Sequence, residues 1–182
     1  AFSTGLTNVE VELEIVDSWS GERKSVRTAL GEAYGPLFDS GSFHVCDAGR
    51  AEASREAARD TLPEAPAEIL PLLDGRFEAT ATWERLDGAT GNAQAVPISS
   101  DSGYFWFFAP SIVEVLVKMV DACGSPGFDN FWLFAGGLTD VEVHLTVRDT
   151  LTGEIVTHAN AQGNPFASLL ETGSLESCNA VP

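Results

Sequence analysis

Shifted by 132 residues, this chain falls on itself. Phe-Ser-Thr-Gly-Leu-Thr-Asn-Val-Glu-Val at 2–11 lies over Phe-Ala-Gly-Gly-Leu-Thr-Asp-Val-Glu-Val at 134–143, and the correspondence continues without a gap. Asp17 falls on Asp149, Gly21 and Glu22 on Gly153 and Glu154, Gly31 on Gly163, Gly41 and Ser42 on Gly173 and Ser174, and Cys46 on Cys178. Ungapped identity at a single offset is the mark of a repeated structural unit. The chain is therefore expected to hold one complete unit, residues 47–178, preceded by only the last third of another. Either a longer repeat protein is cut near Ala1, or the subunit begins with a partial domain.

The end of each copy has the pattern of a β-hairpin. Val-Glu-Val-Glu-Leu-Glu-Ile at 9–15 and Val-Glu-Val-His-Leu-Thr-Val at 141–147 alternate apolar and polar residues strictly, as a strand with one face on a core does. Val9, Val11, Leu13 and Ile15 are expected to share the core-facing side. Asp17 and Gly21, like Asp149 and Gly153, bracket a turn in which the aspartate starts the bend and the glycine supplies a positive φ. Residues 76–83, 93–98, 103–108, 112–120 and 131–134 add further short strands, with turn signals at the spacing of a sandwich. No alternation of strands with helices appears, so the expected fold is all-β: an immunoglobulin-like sandwich repeat with a partial N-terminal repeat. Residues 51–59 are the one helical stretch, closed by Pro63 and Pro66 and lacking an apolar stripe. The expected organisation is the end of a repeat unit at 1–46, a linker with a short helix at 47–73, and the complete sandwich at 74–182.

Composition narrows the chemistry. Against 27 Asp and Glu stand only 10 Lys and Arg, a formal charge of −17, and the basic residues are scattered, so no basic face is available for phosphates. The longest strongly apolar stretch, residues 104–117, contains Pro110 and Glu114 and falls short of the roughly 20 residues that a bilayer requires. The spacings of a nucleophile elbow, a zinc-protease helix and a phosphate-binding loop are all missing, so no catalytic residue is assigned and the chain is read as a non-enzyme. Tyr104, Trp106 and Trp132 are the candidate ligand-binding residues, because aromatic rings pack on the apolar faces of sugars. In a strand, Tyr104 and Trp106 share one face with Phe108 while Phe105 and Phe107 share the other, and at least one of those faces must be core. His144 and His158 would oppose each other if the turn sets Arg148 across from Glu154. No metal or other cofactor is assigned; Ca²⁺ would find oxygen ligands only in the acidic loops at 87–91, 100–103 and 121–129, none of which has calcium-loop spacing. Of the three cysteines, Cys123 and Cys178 are expected to pair within the complete unit, leaving Cys46 with the partial one.

Ser-Ser-Asp-Ser-Gly-Tyr-Phe-Trp-Phe-Phe at 99–108, Val-Glu-Val-Leu-Val-Lys-Met-Val-Asp at 113–121, the stretch 131–143 and Asp-Thr-Leu-Thr-Gly at 149–153 together resemble a repeat domain of bacterial secreted, mostly hypothetical proteins. That family is an uncharacterised β-module, found in tandem or appended to extracellular enzymes. The resemblance covers roughly residues 75–166, and 2–34 in the partial copy; it implies secretion and modularity and brings no catalytic residues. An isolated hairpin is marginal in water, so the apolar face within residues 5–30 needs a cover, from the chain's own complete unit or from a neighbour. Strand addition between protomers would be head-to-tail and non-closing, giving a filament, with Val9, Val11, Leu13, Ile15 and Cys46 as the assembly residues. The expected function is a self-associating extracellular structural or adhesive subunit, without nucleic acid or membrane span. The alternative is a glycan- or ligand-binding accessory module of a larger secreted enzyme.

Overall fold

The structure, a computed structural model, describes residues 2–7, 9–17, 20–32, 34, 37–38, 67–124, 129–176 and 178. Over these residues the chain is all-β. In chain order the strands are β1 (Phe2–Ser3), β2 (Val11–Val16), β3 (Arg23–Thr28), β4 (Leu37–Phe38), β5 (Leu70–Leu72), β6 (Phe77–Glu84), β7 (Thr90–Asn92), β8 (Gln94–Pro97), β9 (Ser102–Trp106), β10 (Val115–Asp121), β11 (Phe131–Gly137), β12 (Glu142–Asp149), β13 (Ile155–Asn160) and β14 (Leu169–Leu175). Every pairing between them is antiparallel.

Two sheets form the sandwich. One runs β14-β11-β10-β9-β8; the other runs β13-β12-β6-β5, with β7 sharing the outer edge of β6. Period-2 alternation decides what each strand buries. Phe77, Ala79 and Ala81 of β6 and Val143, Leu145 and Val147 of β12 face Phe105, Val115, Val117, Met119, Phe131 and Leu133 of the other sheet in one buried cluster. Phe77 meets Phe131 edge-on with ring centroids 4.9 Å apart. The Cys123–Cys178 disulfide, 55 residues apart in sequence, closes the chain around β11 to β14, as expected.

Three elements differ from the sequence reading. Leu70 and Leu72 are wholly buried in β5 with Pro71 facing out, so the sandwich takes in part of the stretch expected to be linker; a proline is tolerated there because β5 is an edge strand. The return strand expected at 93–98 is β8, but it pairs with β9 in the opposite sheet; the strand that returns along β6 is β7, in the stretch expected to be turn, and the chain passes between them through the small buried Ala93. The strand expected from 112 starts at Val115, because the Ile112 N–H closes a turn onto Ala109 O (2.9 Å). The helix expected at 51–59 and Cys46 lie outside the described residues.

The N-terminal strands form two small sheets, β1-β4 and β2-β3. Their register matches the C-terminal end of the sandwich at the 132-residue offset. Phe2↔Phe38 and Ser3↔Leu37 correspond to Phe134↔Leu170 and Ala135↔Leu169. The six pairs from Val11↔Thr28 to Val16↔Arg23 correspond to those from Val143↔Asn160 to Arg148↔Ile155.

Candidate functional site

The correspondence between the two hairpins extends to their turns. Asp17 N–H donates to Glu22 O and Gly21 N–H to Asp17 O, at 2.9 and 2.8 Å; Asp149 to Glu154 and Gly153 to Asp149 make the same bonds, each at 2.9 Å. Gly21 and Gly153 take φ of 73° and 78°, the positive φ expected of them. Further along, Tyr34 N–H donates to Thr7 O as Phe166 N–H does to Thr139 O, and each ring lies against a glycine, Gly5 or Gly137, at which a Cβ would collide with it.

Their surroundings differ. Along its whole length β12 is paired on one edge with β13 and on the other with β6, from Glu142↔Glu84 to Asp149↔Phe77. Val143, Leu145 and Val147 are consequently at most 1% exposed. On β2, the edge away from β3 has no partner strand among the described residues, and Val11, Leu13 and Ile15 stay half-buried. Val9, expected on the same face, lies ahead of the strand and is 51% exposed. The reason is local: its N–H bonds the Thr7 hydroxyl at 3.2 Å and bends the chain before β2 begins, as Val141 does with Thr139. The opposite face of the hairpin is dressed for water, with ion pairs Arg23–Glu14 (3.0 Å) and Arg27–Glu10 (2.6 Å). Ser168 Oγ donates to Tyr34 O (2.6 Å), and Thr4 and Leu6 sit against Gly136 on the outside of β11, so both contacts tie this segment to the sandwich.

At the turn of β12, Asp149 is fully buried and holds Arg76 through two bonds, Nε to Oδ1 at 2.8 Å and Nη2 to Oδ2 at 2.9 Å, while Oδ1 also accepts from Leu151 and Thr152 N–H. This carboxylate locks the start of β6 onto the end of β12. Asp17 occupies the same place in the other hairpin, where it accepts from Ser20 Oγ at 2.8 Å.

The aromatic run at 104–108 divides as strand geometry requires. Phe105 and Phe107 are core; Tyr104 and Trp106 lie half-buried on the outer face, and Phe108 is largely exposed at the strand end, edge-on to Trp83. Trp132 shares that outer face, cross-paired with Val120, while Tyr104 is cross-paired with Leu116. The structure thus places Tyr104, Trp106 and Trp132 on one face of one sheet.

The histidines are not opposed. Arg148 pairs with Ile155 and not Glu154, because the turn closes one residue earlier, between Asp149 and Glu154. That single step turns His144 outward beside Glu142 (3.1 Å) and His158 inward against Phe166, where burial lowers its pKa and its Nε2 finds no hydrogen-bond partner in the described structure. The acidic loops are internally satisfied at several points: Asp87 bonds Arg85 (3.0 Å), Asp121 caps Cys123 N–H (2.9 Å), and Asp101 is held below the usual carboxylate range chiefly by the Ser99 hydroxyl. Among the described residues no three His, Cys, Asp or Glu side chains gather as a metal site would need, and no helix is long and apolar enough to cross a membrane. Residues 125–128 of the third acidic loop lie outside the described residues.

Sequence reasoning passed over one buried acid. Glu114, 6% exposed, floors a cleft of about 620 Å³ at one end of the sandwich, between Phe108, Ile112, Val113 and Leu138, and its burial pushes its pKa up. Just ahead of β10, its N–H donates to Phe105 O (2.9 Å) and its carbonyl accepts from Leu138 N–H (2.7 Å), which fixes it between β9 and the end of β11. The chain matches no protein-family model, no curated protein and no solved structure with which it was compared.

Proposed function

We propose that this chain is a non-enzymatic extracellular structural or adhesive subunit, an immunoglobulin-like repeat that assembles with other protomers by strand addition or exchange. The observation that carries this reading is the hairpin β2-β3. It has the register and turn of β12-β13, yet its apolar face is half exposed and its second edge has no strand among the described residues. A hairpin with an ion-pair ladder on one side and Val11, Leu13, Ile15 and Val26 on the other is suited to a partner that covers the second side. Contact between an open hairpin at one end and a sandwich at the other is heterologous, so repetition extends it without closure. The disulfide supports an oxidising compartment, in line with secretion. At a charge of −17 the protomers repel one another, so assembly strengthens with ionic strength.

Light scattering coupled to size-exclusion chromatography, with negative-stain microscopy over a dilution series, tests this. Polymers or filaments that survive dilution are expected; a dilution-stable particle of 19.3 kDa would overturn the reading. One observation favours a second reading, a glycan-binding accessory module: Tyr104, Trp106 and Trp132 share one half-buried outer face. A glycan array on wild type, Trp106→Ala and Trp132→Ala decides between the two, since specific binding lost in folded variants belongs to the second alone.

A further inference from the structure

We infer that the edge of β2 that has no partner strand among the described residues is an acceptor for a single antiparallel strand of the type Arg-Phe-x-Ala-x-Ala-x-Trp, carried by a separate polypeptide unit. The inference rests on reading β2-β3 as an incomplete unit, and goes beyond it by naming the chemistry of the missing strand.

The pattern comes from the complete unit. There β12 receives β6 with Asp149 opposite Phe77, Val147 opposite Ala79, Leu145 opposite Ala81 and Val143 opposite Trp83. Because β2-β3 repeats the register of β12-β13 at an offset of 132, the incoming strand would set its Phe opposite Asp17, its two alanines opposite Ile15 and Leu13, and its Trp opposite Val11. Small residues suit the middle, since the aliphatic side chains of the acceptor fill the same layer, as Leu145 and Val147 do beside Ala81 and Ala79. The chain's own β6 cannot serve, because β12 holds one of its edges and β5 and β7 hold the other.

Two further features select the strand. The arginine ahead of β6 is held bidentately by Asp149, and Asp17 stands at that position in the acceptor with the same turn bonds. An arginine entering ahead of the new strand would therefore arrive beside the Asp17 carboxylate, which here accepts from Ser20 Oγ. On the outward face the acceptor presents Glu12 and Glu14 where β12 presents His144 and Thr146. Like charges directly opposed across a sheet repel, so the variable positions facing these glutamates take threonine or a basic residue and exclude acids.

The probe is a fluorescein-labelled peptide with the sequence of residues 75–85, titrated into the full chain and read by anisotropy. Saturable binding is expected, weakened at least about tenfold by an Arg76→Gln change in the peptide, which removes a charge-assisted pair. Leu13→Glu in the chain should abolish it. Because that variant also disturbs the hairpin, Glu14→Pro is the cleaner one: by ladder alternation the Glu14 N–H points to the open edge, so the β3 pairing stays and the acceptor is blocked. Equal binding of a scrambled peptide, or none at millimolar concentration, overturns the acceptor. Failure of the two readings is separable. Peptide binding to a chain that stays monomeric supports the acceptor and removes self-assembly, whereas polymers that neither bind the peptide nor are inhibited by it overturn the acceptor and leave assembly standing.

Discussion

The hairpins β2-β3 and β12-β13 share a register and a turn, and differ in what lies on them. In β12-β13, β6 and the opposite sheet bring Val143, Leu145 and Val147 to complete burial; in β2-β3 the same positions, Val11, Leu13 and Ile15, stop half-way. Local sequence is therefore enough to specify turn and register, whereas stability comes from what covers the apolar face. The divergent positions agree with this. Lys24 stands on the inner face of β2-β3 where Val156 stands in β12-β13, and Thr28 where Asn160 bonds three carbonyl oxygens.

The sharpest way to break the comparison is at the paired aspartates. Asp149→Ala strands the Arg76 guanidinium against the core and should cost about 3–5 kcal/mol, while Asp17→Ala should cost about 1 kcal/mol; thermal unfolding of the two variants checks the ratio. Next come the matched leucines. Leu145→Ala opens a cavity in the core and should cost about 3 kcal/mol, against less than about 1 kcal/mol for Leu13→Ala, measured by denaturant titration. A comparable loss at both leucines would mean that the N-terminal hairpin is already fully covered.

Smaller effects sharpen the contrast. His158 sits where the other hairpin has Val26, and burial keeps its folded pKa below its unfolded value near 6.5. Between those two values the unfolded chain binds more protons, so the stability this residue contributes is present above about pH 6.5 and is lost as pH falls through the folded pKa. His158→Val should remove that loss, seen as a Tm difference from wild type that widens from pH 7.5 to pH 5. Glu114 has the opposite sign. Its folded pKa is raised, so its contribution is full below the unfolded carboxyl value and is lost as pH rises through the folded one. Glu114→Gln should be the more stable protein at pH 7.5, with the difference closing by pH 4. Smallest of all, Lys24→Val should leave stability within about 0.5 kcal/mol while lowering the concentration at which the chain associates, as an apolar inner face becomes continuous.

Much of this architecture was legible in the residues. The alternation at 9–15 and 141–147 and the Asp…Gly turns define both hairpins, and the parity of 104–108 separates Phe105 and Phe107 from Tyr104 and Trp106. Which of those two faces is core could not be read from parity, because it depends on where the second sheet lies. β5 was hidden by its three-residue length and its proline. The opposed histidines failed by one residue of turn length, which is enough to reverse every side chain on a strand. Arg76 and Asp149 are 73 residues apart, and only the pairing of β6 with β12 joins them; the one trace in the sequence was that Asp149 recurs as Asp17.

Amide hydrogen exchange on the intact chain tests the central claim most directly. Asp149 N–H bonds within its own hairpin and Thr150 N–H bonds Arg76 O, so alternation points the amides of His144, Thr146 and Arg148 at β6 and those of Glu12, Glu14 and Val16 at the edge of β2 that has no partner strand among the described residues. Protection is expected at all six β12 amides from Val143 to Arg148, but only at Val11, Leu13 and Ile15 in β2. Equal protection of Glu12, Glu14 and Val16 in dilute monomer would show that the β2 edge is already filled, and would contradict the reading of this hairpin as half of an unfinished unit.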